Sequence, residues 1–206
     1  VFGLVGIDMI AGPSEILVIA DANSDARHLA ADLLSQAEHD KNACAVLITD
    51  SALIARAVAG ELEAQLASLP RREIARASLE ANGRIILTRD IPEAIRIANA
   101  LAPEHLELCV DNPFDYLDQV RNAGSIFLGR SCPEAVGDYF AGANHTLPTS
   151  GTARFSSPLS VEDFVKKSQF IYYSSSALSA ASGKIAAFAR QEGLEGHARS
   201  ALARQG

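Results

Sequence analysis

Short apolar runs alternate with helical periodicity along the first two-thirds of the chain. Glu15–Ala20 (EILVIA), Ala45–Thr49 (AVLIT), Arg84–Thr88 (RIILT), Leu106–Val110 (LELCV) and Ser125–Leu128 (SIFL) have the length and branched apolar content of buried strands. Helical stretches separate them. Ser24 reads as the N-cap of a helix from Asp25 to about His39. Ser51–Leu66 is helical, and Pro70 interrupts it and opens a second helix reaching about Ala81. Pro92–Ala100 and Phe114–Asn122 complete the series. The alternation predicts an α/β fold with a mainly parallel sheet layered with helices, an incomplete Rossmann-like domain.

Residues 129–160 lose this periodicity and hold Gly129, Gly137, Gly142, Gly151, Pro133, Pro148 and Pro158. A loop this long inside a compact domain reads as functional. Beyond Ser160 the pattern turns helical: Val161 to about Tyr172, Ser175–Arg190 and Leu194–Ala203. The expected organisation is residues 1–14 as the end of a preceding domain or a linker, 15–159 as the α/β domain, and 160–206 as a helical tail.

Composition narrows the class. Hydrophobic residues make up 48% and charged residues 21%, a mixture that builds a core. The net charge of -7 repels phosphate backbones, which argues against a nucleic-acid binder. No apolar run spans a bilayer. The first ten residues lack the basic start of a signal peptide, and Val1 reads as a cut within a longer chain. Cys44, Cys109 and Cys132 are odd in number and widely spaced, so ordinary buried or half-buried thiols in a reducing cytoplasm are expected.

Five polar segments carry candidate chemistry. Gln36 and His39 share a helix face at i, i+3, which suits either metal ligation or a histidine capping the helix end. Glu104 and His105 stand at a strand's edge, as an acid/base pair or a solvated loop pair. Asp138 on a Gly-flanked turn can present a carboxylate to a metal or close an Asx-turn. His145 lies in the Gly/Pro-rich stretch. Glu192 and His197 lie near the C-terminus, where an isolated histidine is usually a surface residue.

Taken in order, these segments resemble the histidinol dehydrogenase family. The resemblance rests on Ile7-Asp8-Met9-Ile10-Ala11-Gly12-Pro13-Ser14-Glu15, Leu33-Leu34-Ser35-Gln36-Ala37-Glu38-His39, Ala102-Pro103-Glu104-His105-Leu106, Gly137-Asp138-Tyr139, Gly142-Ala143-Asn144-His145-Thr146-Leu147-Pro148-Thr149 and Glu192-Gly193-Leu194-Glu195-Gly196-His197-Ala198-Arg199. It departs from the family around Cys132-Pro133-Glu134-Ala135-Val136 and in length, family members being roughly twice as long.

The resemblance implies NAD-dependent, zinc-requiring oxidation of L-histidinol to L-histidine in a cytoplasmic homodimer whose tail completes the neighbour's site. Gln36, His39, Asp138 and His197 match the zinc ligands and also contact substrate. Glu104 and His105 match the catalytic pair, with His105 contacting substrate. Ser14, His145 and Glu192 match further substrate contacts, with Glu192 favoured over Glu195. NAD contacts are expected in the N-terminal half of the family, because no Gly-x-Gly-x-x-Gly follows a strand here. The segment alone is accordingly not expected to turn over. Two other readings stand beside this one: a zinc-dependent hydrolase using Glu104 as base, and a truncated zinc-binding paralogue without activity.

Overall fold

The computed structural model describes residues 3–204; Val1, Phe2, Gln205 and Gly206, at the outer ends of the expected linker and tail, lie outside the described residues. Five strands, β1 (Glu15–Ala20), β2 (Cys44–Thr49), β3 (Arg84–Leu87), β4 (His105–Cys109) and β5 (Ser125–Leu128), form one all-parallel sheet in the order β3-β2-β1-β4-β5. This is the half-Rossmann order, with its switch point between β1 and β4. Helices α1 (Ala26–Ala37), α2 (Ala52–Leu66), α3 (Arg72–Asn82) and α4 (Ile91–Leu101) make the crossovers, bearing out the predicted α/β class.

The strands alternate their side chains between two cores. One joins Ile16, Val18, Leu47 and Cys109 to Leu29, Leu33, Ile54 and Val58 from α1 and α2. The other joins Leu17, Ile19, Ile48, Leu106 and Leu108 to Ile91, Ala94 and Ile95 from α4. Burial on both faces explains why β1, β2 and β4 read as continuous apolar runs, whereas the edge strand β3 leaves Ile85 and Leu87 exposed.

Four local expectations differ from the structure. Asp25, rather than Ser24, caps α1, accepting from the Arg27 N–H. The Ser24 hydroxyl instead donates to the Cys109 carbonyl at 2.5 Å, tying the turn after β1 to the end of β4. Pro113–Gln119 is a 3-10 turn and stops short of Asn122, because the Asn99 carboxamide oxygen takes the Arg121 and Asn122 N–H groups. Residues 129–160 are not all loop: α5 (Glu134–Tyr139) and a 3-10 turn at Thr152–Arg154 lie within them. Helix 161–172 is reduced to a 3-10 turn at Val161–Phe164. The following Phe170-Ile171-Tyr172-Tyr173 run is β-branched and aromatic, and such residues lose rotamer freedom in a helix.

The chain divides into two compact units, Val1–Phe164 and Val165–Gly206. The second is a helical hairpin of α6 (Ser175–Gln191) and α7 (Glu195–Leu202). Gly193, at φ 76°, makes the tight turn, and Ala186, Ala189, Ala198 and Leu202 pack between the helices. Among the described residues no helix is long and apolar enough to cross a membrane. Cys44, Cys109 and Cys132 are free; Cys109 is buried and the others half-buried.

Candidate active site

On the face covered by α1, β4 presents His105, Glu107 and Cys109 where its neighbours present aliphatic side chains. His105 and Glu104 stand at the N-terminal edge of the sheet, beside Glu15 at the start of β1. α1 runs back antiparallel to β1 and so delivers Gln36, in its last turn, to the same edge. α5 runs back over β5 and delivers Glu134 and Asp138. Its close approach depends on Gly137, where a Cβ would lie 2.6 Å from the Phe127 ring.

The backbone of β1 organises the edge. The Glu15 N–H donates to Glu104 Oε2 at 2.9 Å, and the Ser150 N–H donates to Glu15 Oε1 at 3.0 Å. His105 Nδ1 lies 2.9 Å from the Glu15 carbonyl and 3.0 Å from Gln36 Nε2. One ring nitrogen cannot donate to the first and accept from the second, so the tautomer and the amide are set together. With Nδ1–H on the Glu15 carbonyl, Nε2 is a bare lone pair, 3.9 Å from Glu134 Oε1 and 4.0 Å from Asp138 Oδ1.

Among the described residues, Gln36 Oε1, His105 Nε2, Glu134 Oε2 and Asp138 Oδ1 are buried with no donor from any other group, and all four lie in this pocket, where the Glu134 and Asp138 carboxyls share a hydrogen bond once one of them holds a proton. Buried acceptors without donors are rare and costly, and their convergence calls for a cation or a donor-bearing ligand. Ligand atoms from His105, Glu134 and Asp138 lie within 4.8 Å of one another, a spacing that can hold a metal ion.

The electrostatics agree. Burial raises the Glu134 carboxyl to about 8, helped by the negative charges of Asp138, Glu107 and Glu104. Burial raises Glu104 to about 7. Burial lowers His105, and positive charge on His39 and His145 lowers it further, while the Glu15 carbonyl and Asp138 oppose. Carboxyls held neutral chiefly by burial, and next by one another's charge, are groups that a bound cation would ionise.

Of the residues expected from sequence, the structure gathers Gln36, Glu104, His105 and Asp138. His39 and His145 are exposed, yet close enough for their charge to be felt at His105. Ser14 precedes β1, its carbonyl accepting from the Cys44 N–H. Glu192 caps the C-terminus of α6 and His197 lies exposed on α7, both in the second unit. Glu195, which the sequence set aside, is engaged by Arg190 and Arg199.

Sequence reasoning missed Glu134, Glu107 and the backbone role of Glu15. Two signals for the first two were present. Glu134 precedes Asp138 by four residues, one helix face, and Glu107 is a carboxylate inside an otherwise apolar strand.

Comparison with known proteins places this geometry in context. A family model described as histidinol dehydrogenase matches residues 1–205. A histidinol dehydrogenase of Geobacter metallireducens is 59% identical over 204 residues, 99% of this chain and 47% of that protein. One from Bacillus subtilis is 58% identical over 205 residues, 100% of this chain and 48% of the relative. The crystal structure of histidinol dehydrogenase from Elizabethkingia anophelis superposes with a TM-score of 0.86 at 41% identity, covering 97% of this chain and 46% of that one. The chain thus spans about half the length of the relatives it matches.

Proposed function

Because the chain belongs to the histidinol dehydrogenase family, we propose that it supplies the catalytic and metal-binding residues for zinc-requiring, NAD-dependent oxidation of L-histidinol to L-histidine through L-histidinal. One observation carries the reading: a buried imidazole, His105, turns an unpartnered Nε2 toward the buried carboxyls of Glu134 and Asp138.

Gln36, His39, Asp138 and His197 would hold zinc. The Asp138 carboxyl, its Oδ1 4.0 Å from His105 Nε2, and the buried Gln36 amide, 3.0 Å from His105 Nδ1, support two of these assignments by position. The described residues do not fit a dinucleotide cradle: the turn after β1 reads Asp21-Ala22-Asn23-Ser24, and Arg130 bridges Asp21 and Asp111 beside it. The NAD contacts are therefore assigned outside this chain. When bound, zinc supplies an anchor for the substrate's amine and imidazole nitrogens, and NAD supplies the hydride acceptor.

The chain's own residues do the rest. Nδ1–H on the Glu15 carbonyl holds the His105 ring, and Nε2 takes the proton of the alcohol. Glu104 draws a proton from the water that hydrates the aldehyde; a carboxyl near 7 is substantially ionised at neutral pH yet still a useful base. His105 then serves the second oxidation in the same way. Ser14 contacts the substrate, His145 hydrogen-bonds the reacting oxygen, and Glu192 pairs with the substrate ammonium. In a cytoplasmic homodimer, Glu192 and His197 of one tail complete the neighbour's site; an active monomer by light scattering would overturn that arrangement.

The test is NADH formation from L-histidinol, NAD and zinc, run on this chain and on the chain at the length of its relatives. The longer protein is expected to form two NADH per histidinol and the shorter one none. Absence of NADH from both overturns the reading.

A further inference from the structure

Glu107 is fully buried, and nothing in the proposed reaction uses it. It lies two residues from His105 on the same face of β4. Its Oε1 accepts the Glu134 N–H at 2.8 Å, a first-turn N–H of α5 with no acceptor inside its helix. Its other side faces the Asp32 carboxyl from α1, and the two share a hydrogen bond when one of them holds the proton that burial favours. Cys109 Sγ lies 3.7 Å from Oε2.

Asp32 and Gln36 are i, i+4 on α1, and Glu134 and Asp138 are i, i+4 on α5. Four helical residues rise about 6 Å, and two strand residues rise about 6.6 Å. The three elements therefore run in step and make two rungs. One rung is Asp32, Glu107 and the N-terminus of α5. The other is Gln36, His105 and Asp138, where the unpartnered acceptors lie.

A buried carboxyl pair is a poor way to gain stability, since an aliphatic side chain of similar volume usually serves as well or better. The surroundings are already apolar: Leu29, Leu33 and Val18 share this face. What the pair supplies is direction, because a hydrogen bond fixes distance and angle where apolar packing tolerates sliding. We propose that Glu107 is a positioning residue which, with Asp32, ties α1 to the first turn of α5 and so sets the gap across which Gln36 and Asp138 face His105. The inference deepens the zinc-site reading and rests on it for its functional consequence.

The experiment compares Glu107→Leu, Glu107→Gln and Asp32→Ala, each in the protein at the length of its relatives. Zinc affinity is measured by chelator competition, thermal midpoint by calorimetry, and exchange of the residue 131–140 amides by mass spectrometry on metal-free protein. Glu107→Leu is expected to hold or raise the midpoint, weaken zinc roughly 10- to 100-fold, as loss of groups behind metal ligands does, and speed exchange in α5. Glu107→Gln, which keeps the acceptor for Glu134 N–H, is expected to restore zinc affinity to within about 3-fold of the parent, below one kcal/mol. Asp32→Ala, on a half-exposed side chain, is expected to fold and to weaken zinc to a smaller extent, which decides the matter if Glu107→Leu does not fold. Zinc affinity in both Glu107→Leu and Asp32→Ala equal to the parent's, or unchanged exchange in α5, overturns the proposal. A parent protein that binds no zinc overturns the metal reading instead, and the exchange result still decides the positioning role.

Discussion

The two ends of the sheet, at the same β1/β4 switch point, solve the same problem in opposite ways. At the C-terminal end Asp21, Asp111 and Arg130 come together, and their charges are answered. Arg130 Nη2 reaches Asp21 at 2.5 Å, Nη1 reaches Asp111 at 2.7 Å, and Asn23 and the Asp111 N–H add hydrogen bonds. At the N-terminal end Glu15, Glu104, His105, Gln36, Glu134 and Asp138 are buried or nearly so, and among the described residues their acceptors outnumber the donors that reach them. Open α/β sheets usually bind ligands outside the C-terminal strand ends. In this unit the unsatisfied chemistry lies at the other edge. Fold analogy alone would direct attention to the C-terminal end, and the balance of donors and acceptors directs it to the other.

The sharpest test of the contrast is His105→Asn, which should cut turnover by roughly 10²–10⁴ while zinc stays bound. Steady-state NADH formation alongside metal analysis reads both, and unchanged turnover would remove His105 from the proposed chemistry. Next, Asp138→Asn should weaken zinc by at least about 10-fold in chelator competition; parent-like affinity would rule out the ligand role.

The third prediction concerns pH and the metal-free protein. Glu134 holds its proton to about 8 when folded, against an ordinary value of 4.5. Between those values the folded state binds more protons than the unfolded one, so stability falls as pH rises. The contribution is complete below 4.5 and gone above about 8, with a slope of up to about 1.4 kcal/mol per pH unit. Glu104 adds a drop in the same direction that ends near 7. Chemical denaturation from pH 5 to 8 should show the decline, and Glu134→Gln should make it shallower, Glu104 and Glu107 keeping the remainder; an equal slope in the variant would contradict the burial argument. The smallest effect belongs to the other end of the sheet. Arg130→Ala breaks half-exposed pairs, should cost about 1 kcal/mol or less, and should leave zinc affinity unchanged. A large loss of zinc there would dissolve the distinction between the two ends.

Parts of the site were legible in the residues and parts were not. Gln36 and His39 stand out because i, i+3 spacing on one helix is visible in one dimension. Glu104 and His105 stand out because they are adjacent. Glu134 and Asp138 share a face only if residues 134–139 are helical, and a Gly- and Pro-rich stretch conceals that helix. Glu107 was hidden in plain view within LELCV, where apolar neighbours made the strand obvious and its one carboxylate easy to pass over.

The sequence by itself determined the parallel α/β class, because strands buried on both faces must be apolar runs and helices between them must be amphipathic. Its ordered segments also pointed to the family. Tertiary structure alone decided which polar residues meet. The partners lie up to about a hundred positions apart along the chain, from α1 to α5, and only strand order and the direction of the returning helices bring Gln36, His105, Glu134 and Asp138 to one edge. Burial did the remainder: a carboxyl's affinity for its proton depends on how much water and charge surround it, and no local pattern encodes that.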